Sequence, residues 1–152
     1  MSRLLVVHHT PSPATHDLLE AIRSGAGDPR IEGVEVVAVP ALSASVSEVL
    51  RADGYLLGTP ANLGYMSGAL KHFFDQVYYP CLGAVAGRPY GMWIHGNGDT
   101  TGARRSIEAV ATGLEWTLAQ APVEVVGPVR PADVARCWEL GAAMAAGLMP
   151  GA

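Results

Sequence analysis

Three hydroxyl side chains crowd the segment "TPSPAT" (Thr10–Thr15), which closely follows the apolar run Leu4–Val7. Ser12 ahead of Pro13 has the form of a helix start, with Ser12 as N-cap and Pro13 in the first helical position. The N–H groups of Ala14 and Thr15 then lie unpaired at the positive end of a helix, with the hydroxyls of Thr10, Ser12 and Thr15 around them. That arrangement can hold a phosphate without arginine or lysine. The plain alternative is that Ser12 only caps the helix and the prolines only stiffen the turn. Two other segments pair polar groups with turn residues: "GTPANLGY" (Gly58–Tyr65) and "HGNGD" (His95–Asp99). His8, His9 and His95 raise a metal site as an alternative, but their spacing is not diagnostic and no acidic or cysteine ligand accompanies them. Lys71 and Asp75, four apart on a helical pattern, read as a surface pair.

These segments have to be positioned by the elements between them. Short apolar runs at Leu4–Val7, Val34–Val39, Gly54–Gly58, Tyr90–His95 and Val123–Val126 lack strict alternation, as strands buried on both faces do. A glutamate near the start of the second and fifth runs places those two toward sheet edges. Helical spacing predicts helices over Thr15–Ser24, Ser45–Arg51, Tyr65–Tyr78, Gly102–Leu118 and Ala132–Met149, with residues 79–88 as the longest irregular stretch. In the fourth of these, Trp116 or Leu118 is expected to face inward. Strand–helix alternation of this kind gives an α/β fold: a doubly wound, five-stranded parallel sheet of order 2-1-3-4-5, helices on both faces, in a single domain over residues 1–152. In that order a ligand crevice opens where the winding reverses, at the carboxyl ends of the first and third strands. Functional residues should therefore follow Val7, Gly58 and His95.

Bulk composition narrows the partners. The chain has 152 residues, 49% of them apolar and 16% charged, enough for a full core. A net charge of −4 and the absence of any basic run argue against nucleic acid. Leu140–Met149 is too short an apolar stretch to span a bilayer. Cys81 and Cys137 show no metal spacing and read as core or near-surface filler. With no leader visible at the N-terminus, they suggest a reduced, cytoplasmic setting.

The second loop and the helix after it, with Gly58-Thr59-Pro60, Gly64, Gly68, Leu70, Lys71, Phe73 or Phe74, and Asp75, resemble the flavodoxin-like family. Within it, the nearest branch is that of FMN-dependent NAD(P)H reductases and quinone reductases. "TPSPAT" is similar to that family's phosphate loop, T/S-x-T/S-G-x-T, with Thr10, Ser12 and Thr15 on the hydroxyl positions. It departs at Pro13, which stands where glycine is usual and removes one N–H donor. The resemblance implies an FMN phosphate at Thr10–Thr15, with Ala14 supplying backbone. It implies the flavin ring between Thr59–Tyr65 and His95–Asp99. Pro60 would turn the chain off the strand, and Ala61, Asn62 and Leu63 would set backbone groups against the ring's polar edge. Gly64 and Gly68 would allow close approach. Asn62 could donate to N5 or a ring carbonyl, and Tyr65 could stack or stand half-exposed. His95, Gly96, Asn97, Gly98 and Asp99 would form the third wall.

The resemblance further implies an FMN-binding oxidoreductase. NAD(P)H would donate hydride transiently to flavin N5, and a quinone or free flavin would accept it. Arg104 or Arg105 could meet a nicotinamide phosphate, or simply form a solvated helix face. A flavodoxin-type electron carrier is the alternative, although carriers surround the flavin with acidic surface and here the ring-facing loops contain only Asp99. A flavin-free interaction module on the same fold is a third reading. Membership of the reductase branch also implies a homodimer.

Overall fold

A computed structural model of the chain describes residues 1–151. In chain order it contains β1 (Ser2–His8), α1 (Pro13–Ala26), β2 (Val34–Pro40), a 3-10 turn at Ala41–Ser43, α2 (Val46–Arg51), β3 (Gly54–Asn62), β4 (Tyr65–Met66) and α3 (Gly68–Cys81). There follow β5 (Pro89–Gly96), α4 (Thr101–Gly113), β6 (Thr117–Leu118), β7 (Val123–Val126) and α5 (Pro131–Ala146). The sheet runs β2-β1-β3-β5, and both β6 and β7 pair in parallel with the outer side of β5. The expected order 2-1-3-4-5 therefore holds, with the fifth strand broken in two. The Ala119 N–H still donates to the Tyr90 carbonyl of β5 at 2.9 Å, but Gln120–Pro122 leaves the ladder between the halves, and Pro122 has no N–H to give to it. β2 and β7 are edge strands, as their glutamates foretold. Glu35 pairs with Arg3 at 3.0 Å and Glu124 accepts from Thr100 at 2.9 Å, so neither charge lies unpartnered on the edge.

Two apolar layers hold the sheet. One face packs Leu4, Val6, Leu56, Trp93 and Val125 against α1 and α5. The other packs Leu5, Val7, Leu57, Met92 and Ile94 against α2, α3 and α4. Alternate strand residues thus face opposite helical layers, which explains why the strand sequences are apolar throughout. α1 and α5 touch through glycines. A Cβ on Gly25 would stand 1.9 Å from the Trp138 carbonyl oxygen, and one on Gly141 would stand 2.1 Å from that of Ile22. Cys81 and Cys137 are buried in these cores, and burial pushes the Cys137 thiol up to about 12. No helix among the described residues is long and apolar enough to cross a membrane.

Four helix boundaries differ from the periodicity by three residues or more, one of them the end of α5, which stops at Ala146 rather than Met149. Tyr65 and Met66 do not begin α3; they form β4, and the helix starts after Ser67, whose hydroxyl accepts from the Leu70 N–H. The same helix continues through Pro80 to Cys81, into the stretch expected to be irregular, because a proline in the last turn removes only one hydrogen bond. α4 stops at Gly113 rather than Leu118. Glu115 adopts φ 61° and the Trp116 N–H reaches back to the Ala111 carbonyl, which reverses the chain. Trp116 is still buried, stacked on Tyr55 with centroids 4.0 Å apart, whereas Leu118 faces outward in β6.

Candidate functional site

The β1, β3 and β5 ladders fix which loops are neighbours. His8 lies opposite Gly58, and Pro60 opposite His95. The loops that follow β1, β3 and β5 therefore emerge side by side at the carboxyl edge, where the winding reverses. The Gly58 carbonyl also accepts from the His9 N–H at 2.9 Å, joining the first two loops. Gly58 has no room for a side chain, since a Cβ there would lie 2.0 Å from the Trp93 ring.

In the first loop Ser12 is the N-cap of α1 and Pro13 its first residue. The Ser12 hydroxyl accepts from the Thr15 N–H at 3.2 Å, and the Thr15 hydroxyl accepts from the Ser12 N–H at 3.0 Å. Thr15 is buried and closed into this reciprocal cap, leaving Ser12 half-buried at the loop surface. Thr10 lies within 3.1 Å of His8 Nδ1. Burial, aided by the charges of Arg23 and His9, holds His8 below its usual range, so the ring is neutral at physiological pH. The Ala14 N–H, by contrast, finds no acceptor among the described residues. The segment is a helix cap that keeps one donor free, with the Thr10 and Ser12 hydroxyls beside it.

The second loop is a hairpin. Asn62 pairs with Tyr65, and Ala61 with Met66, across the two-residue tip Leu63-Gly64. Both tip residues lie in the left-handed region, at φ 51° and 72°. This is the turn that matches strand twist, and it normally takes Asn-Gly. Leucine there is strained by about 1 kcal/mol, and its side chain stands wholly in solvent. From beneath, the hairpin is tightly held. The Met66 N–H donates to Ser106 Oγ at 3.1 Å, and the Ser67 N–H to Thr59 Oγ1 at 3.0 Å. Ser106 and Thr59, both buried, donate in turn to the Ala103 and Pro60 carbonyls. Gly102 of α4 abuts the Gly64 carbonyl so closely that a Cβ would stand 1.9 Å from its oxygen. Composition and spacing did not reveal Ser106, Ser67 or Gly102 as supports. The only local signal was a serine or glycine where a helix expects something larger.

The third loop turns above β5. His95 Nε2 lies 2.8 Å from the Gly127 carbonyl, which can only accept, so that nitrogen carries the proton and Nδ1 is left open. Asp99 accepts the Thr101 N–H at 2.9 Å and thereby starts α4. Those bonds from Thr101, with the charges of Arg105 and Arg104 behind them, hold its carboxyl below the usual range. Gly96 is buried against Thr100 and Ala61, while Asn97 and Gly98 are exposed. Lys71 and Asp75 form the surface pair expected of them.

The structure thus brings Thr10, Ser12, Ala14, Pro60–Tyr65 and His95–Asp99 to one edge as an open shelf. A concavity of about 410 Å³ lies elsewhere, between Arg30, Ile31 and the apolar side of α5.

Comparison with known proteins sets this geometry in context. No family model matches the chain. Over 88 residues it is 34% identical to a flavodoxin of Aquifex aeolicus, which is 58% of this chain and 46% of that protein. The match thus spans under half the length of that relative. Among solved structures, a flavodoxin from the domain Archaea superposes with a TM-score of 0.81 at 17% identity, covering 96% of this chain and 98% of the other. A flavodoxin, WrbA-like protein from Agrobacterium tumefaciens gives 0.76 at 18% identity, covering 99% and 100%. With its parallel sheet, its strand order and helices on both faces, this chain has the flavodoxin-like fold.

Proposed function

We propose that the chain binds FMN on this shelf and works as an oxidoreductase between NAD(P)H and a quinone or free flavin. The observation that carries the reading is the hairpin tip. Its backbone polar groups are presented at the carboxyl edge, while every inward bond of its base is already satisfied by Thr59, Ser67 and Ser106. A flat, polar-edged ring can meet such a tip without reorganising it. The rest of the shelf suits the same ligand. The free Ala14 N–H, the start of α1 and the hydroxyls of Thr10 and Ser12 fit a phosphate. Pro13 leaves one donor fewer, and Thr15 serves by holding Ser12 in place. Asn62 and His95 Nδ1 offer polar groups on either side of the ring's place.

FMN would supply the two-electron chemistry, accepting hydride at N5 and passing it on. The chain would bind its phosphate, hold the ring between Leu63 and the third loop, and leave one face open to the second substrate. The single acidic residue of the ring-facing loops, Asp99, is engaged with Thr101. The shelf therefore lacks the acidic surface that would disfavour a reduced flavin and steer basic partners. An electron carrier is the second reading, favoured by the match to the Aquifex flavodoxin.

The decisive test is FMN fluorescence during titration with the protein, followed by anaerobic addition of NADH or NADPH. Saturable quenching and bleaching of the flavin bands are expected. Quenching without bleaching by either nucleotide would favour the carrier. No quenching at high protein would leave Thr10–Thr15 a helix cap alone.

The strained tip gives a sharper expectation. Leu63→Asn relieves about 1 kcal/mol of backbone strain, so thermal stability holds or rises slightly. FMN binding weakens about tenfold, because the apolar contact against the ring is lost. Unchanged affinity would show that Leu63 does not touch the ring.

A further inference from the structure

We infer that Arg105 receives a phosphate of the nicotinamide dinucleotide that approaches this shelf, an inference that rests on the function proposed above. Of the ten lysine and arginine side chains, only Arg51, Arg88 and Arg105 lack a carboxylate partner among the described residues. Arg88 donates instead to the carbonyls of Leu50 and Ala52 and to the Tyr55 hydroxyl, at the other end of the strands. Arg51 ends α2 and is away from the three loops. Arg105 is therefore the uncommitted guanidinium at the shelf.

Its position on α4 aims it there. Arg105 lies one turn beyond Gly102, which abuts the hairpin, and next to Ser106, which holds Met66. Side chains on a helix lean toward its N-terminus. An exposed arginine here therefore leans back over Thr101 and Gly102, toward the carboxyl edge, and its charge reaches Asp99 in the third loop. Its neighbour Arg104 is not equivalent. Arg104 is held by Glu108 at 2.8 Å and by Glu124 at 3.4 Å, so it braces α4 against β7. Arg130 and Arg136, at the start of α5, share Asp133. A dinucleotide that lays its nicotinamide on the open ring face carries a diphosphate, and in NADPH a ribose phosphate as well. In a chain of net charge −4, these need a cation on the rim. A guanidinium can grip phosphate oxygens in pairs, which an ammonium cannot do.

Calorimetric titration of the FMN-loaded protein with NADP⁺ and NAD⁺ tests this without requiring turnover. Arg105→Ala is expected to weaken nucleotide binding about tenfold, with FMN affinity unchanged. Arg105→Lys should retain part of the affinity, and Arg51→Ala, the same change in net charge away from the shelf, all of it. Weakening of both nucleotides assigns the contact to the diphosphate, and weakening of NADP⁺ alone assigns it to the ribose phosphate. Equal affinities in wild type and Arg105→Ala for both nucleotides would overturn the assignment, as would an equal loss in Arg51→Ala. A wild type that binds FMN but neither nucleotide would overturn it together with the nicotinamide half of the proposed function. Failure to take up FMN at all would overturn that function itself.

Discussion

Gly102→Ala should lower FMN affinity at least about tenfold while the protein stays folded. The added methyl would stand 1.9 Å from the Gly64 oxygen and 2.8 Å from its carbonyl carbon, both backbone atoms. Either the first turn of α4 or the hairpin tip must move. The helix is anchored by buried Ala103, Ser106 and Ile107, whereas the tip is exposed, so the tip gives way. A displacement of about 1 Å suffices to spoil the alignment of backbone groups with a rigid ligand. Stability changes little by comparison, because alanine favours the helix by about 1 kcal/mol over glycine and offsets part of the strain. Fluorescence titration with FMN, beside a thermal melt, separates the two effects. An unchanged affinity would mean that the hairpin is not the platform for the ring.

Gly141→Ala has the opposite profile: a large loss of stability at a position remote from the shelf. Its methyl would meet the Ile22 carbonyl oxygen at 2.1 Å and the Ala26 nitrogen at 3.1 Å, while Gly25 meets Trp138 in the same way from the facing helix. Neither backbone can retreat without opening the layer that buries Leu18, Ile22, Leu140 and Met144. Overpacking of well-filled cores costs about 1–3 kcal/mol, and rigid backbone on both sides puts this case at about 3. The thermal midpoint should fall by roughly 10 °C for a domain of this size. Gly68→Ala is the matched control, since its methyl would meet nothing within 4 Å. A Gly141→Ala midpoint equal to that control's would show that α1 and α5 can separate freely.

The legible parts of the fold were those written in local pattern. Strands such as Leu4–Val7 and Tyr90–His95 are buried on both faces and so appear as unbroken apolar runs. Ser12 announces its helix because a capping hydroxyl is a short-range device. What stayed hidden depends on distant chain. Tyr65 and Met66 continue the periodicity of α3, yet they are drawn into a hairpin by pairing with Asn62 and Ala61 and by the Ser106 hydroxyl, forty residues on. Of the two residues expected to face inward from α4, Trp116 is buried and Leu118 is not, and both lie beyond the helix, because a glutamate in the left-handed region gives no warning in the sequence. At the shelf, residue types suggested which loops matter. The division of labour between Arg104 and Arg105 could not be seen, since Glu124, which engages the first, lies on another strand.

The broken fifth strand has a consequence for assembly. β2 presents seven residues in one continuous ladder position at its edge of the sheet, whereas the opposite edge offers two short pieces separated by Gln120–Pro122. Only one rim can therefore accept a further strand along its length. Molecules that joined there would meet through the same rim on each, and such a contact is complete once two copies have met. Growth into a filament by strand addition needs a second continuous rim, and the interruption leaves only short pieces on that side.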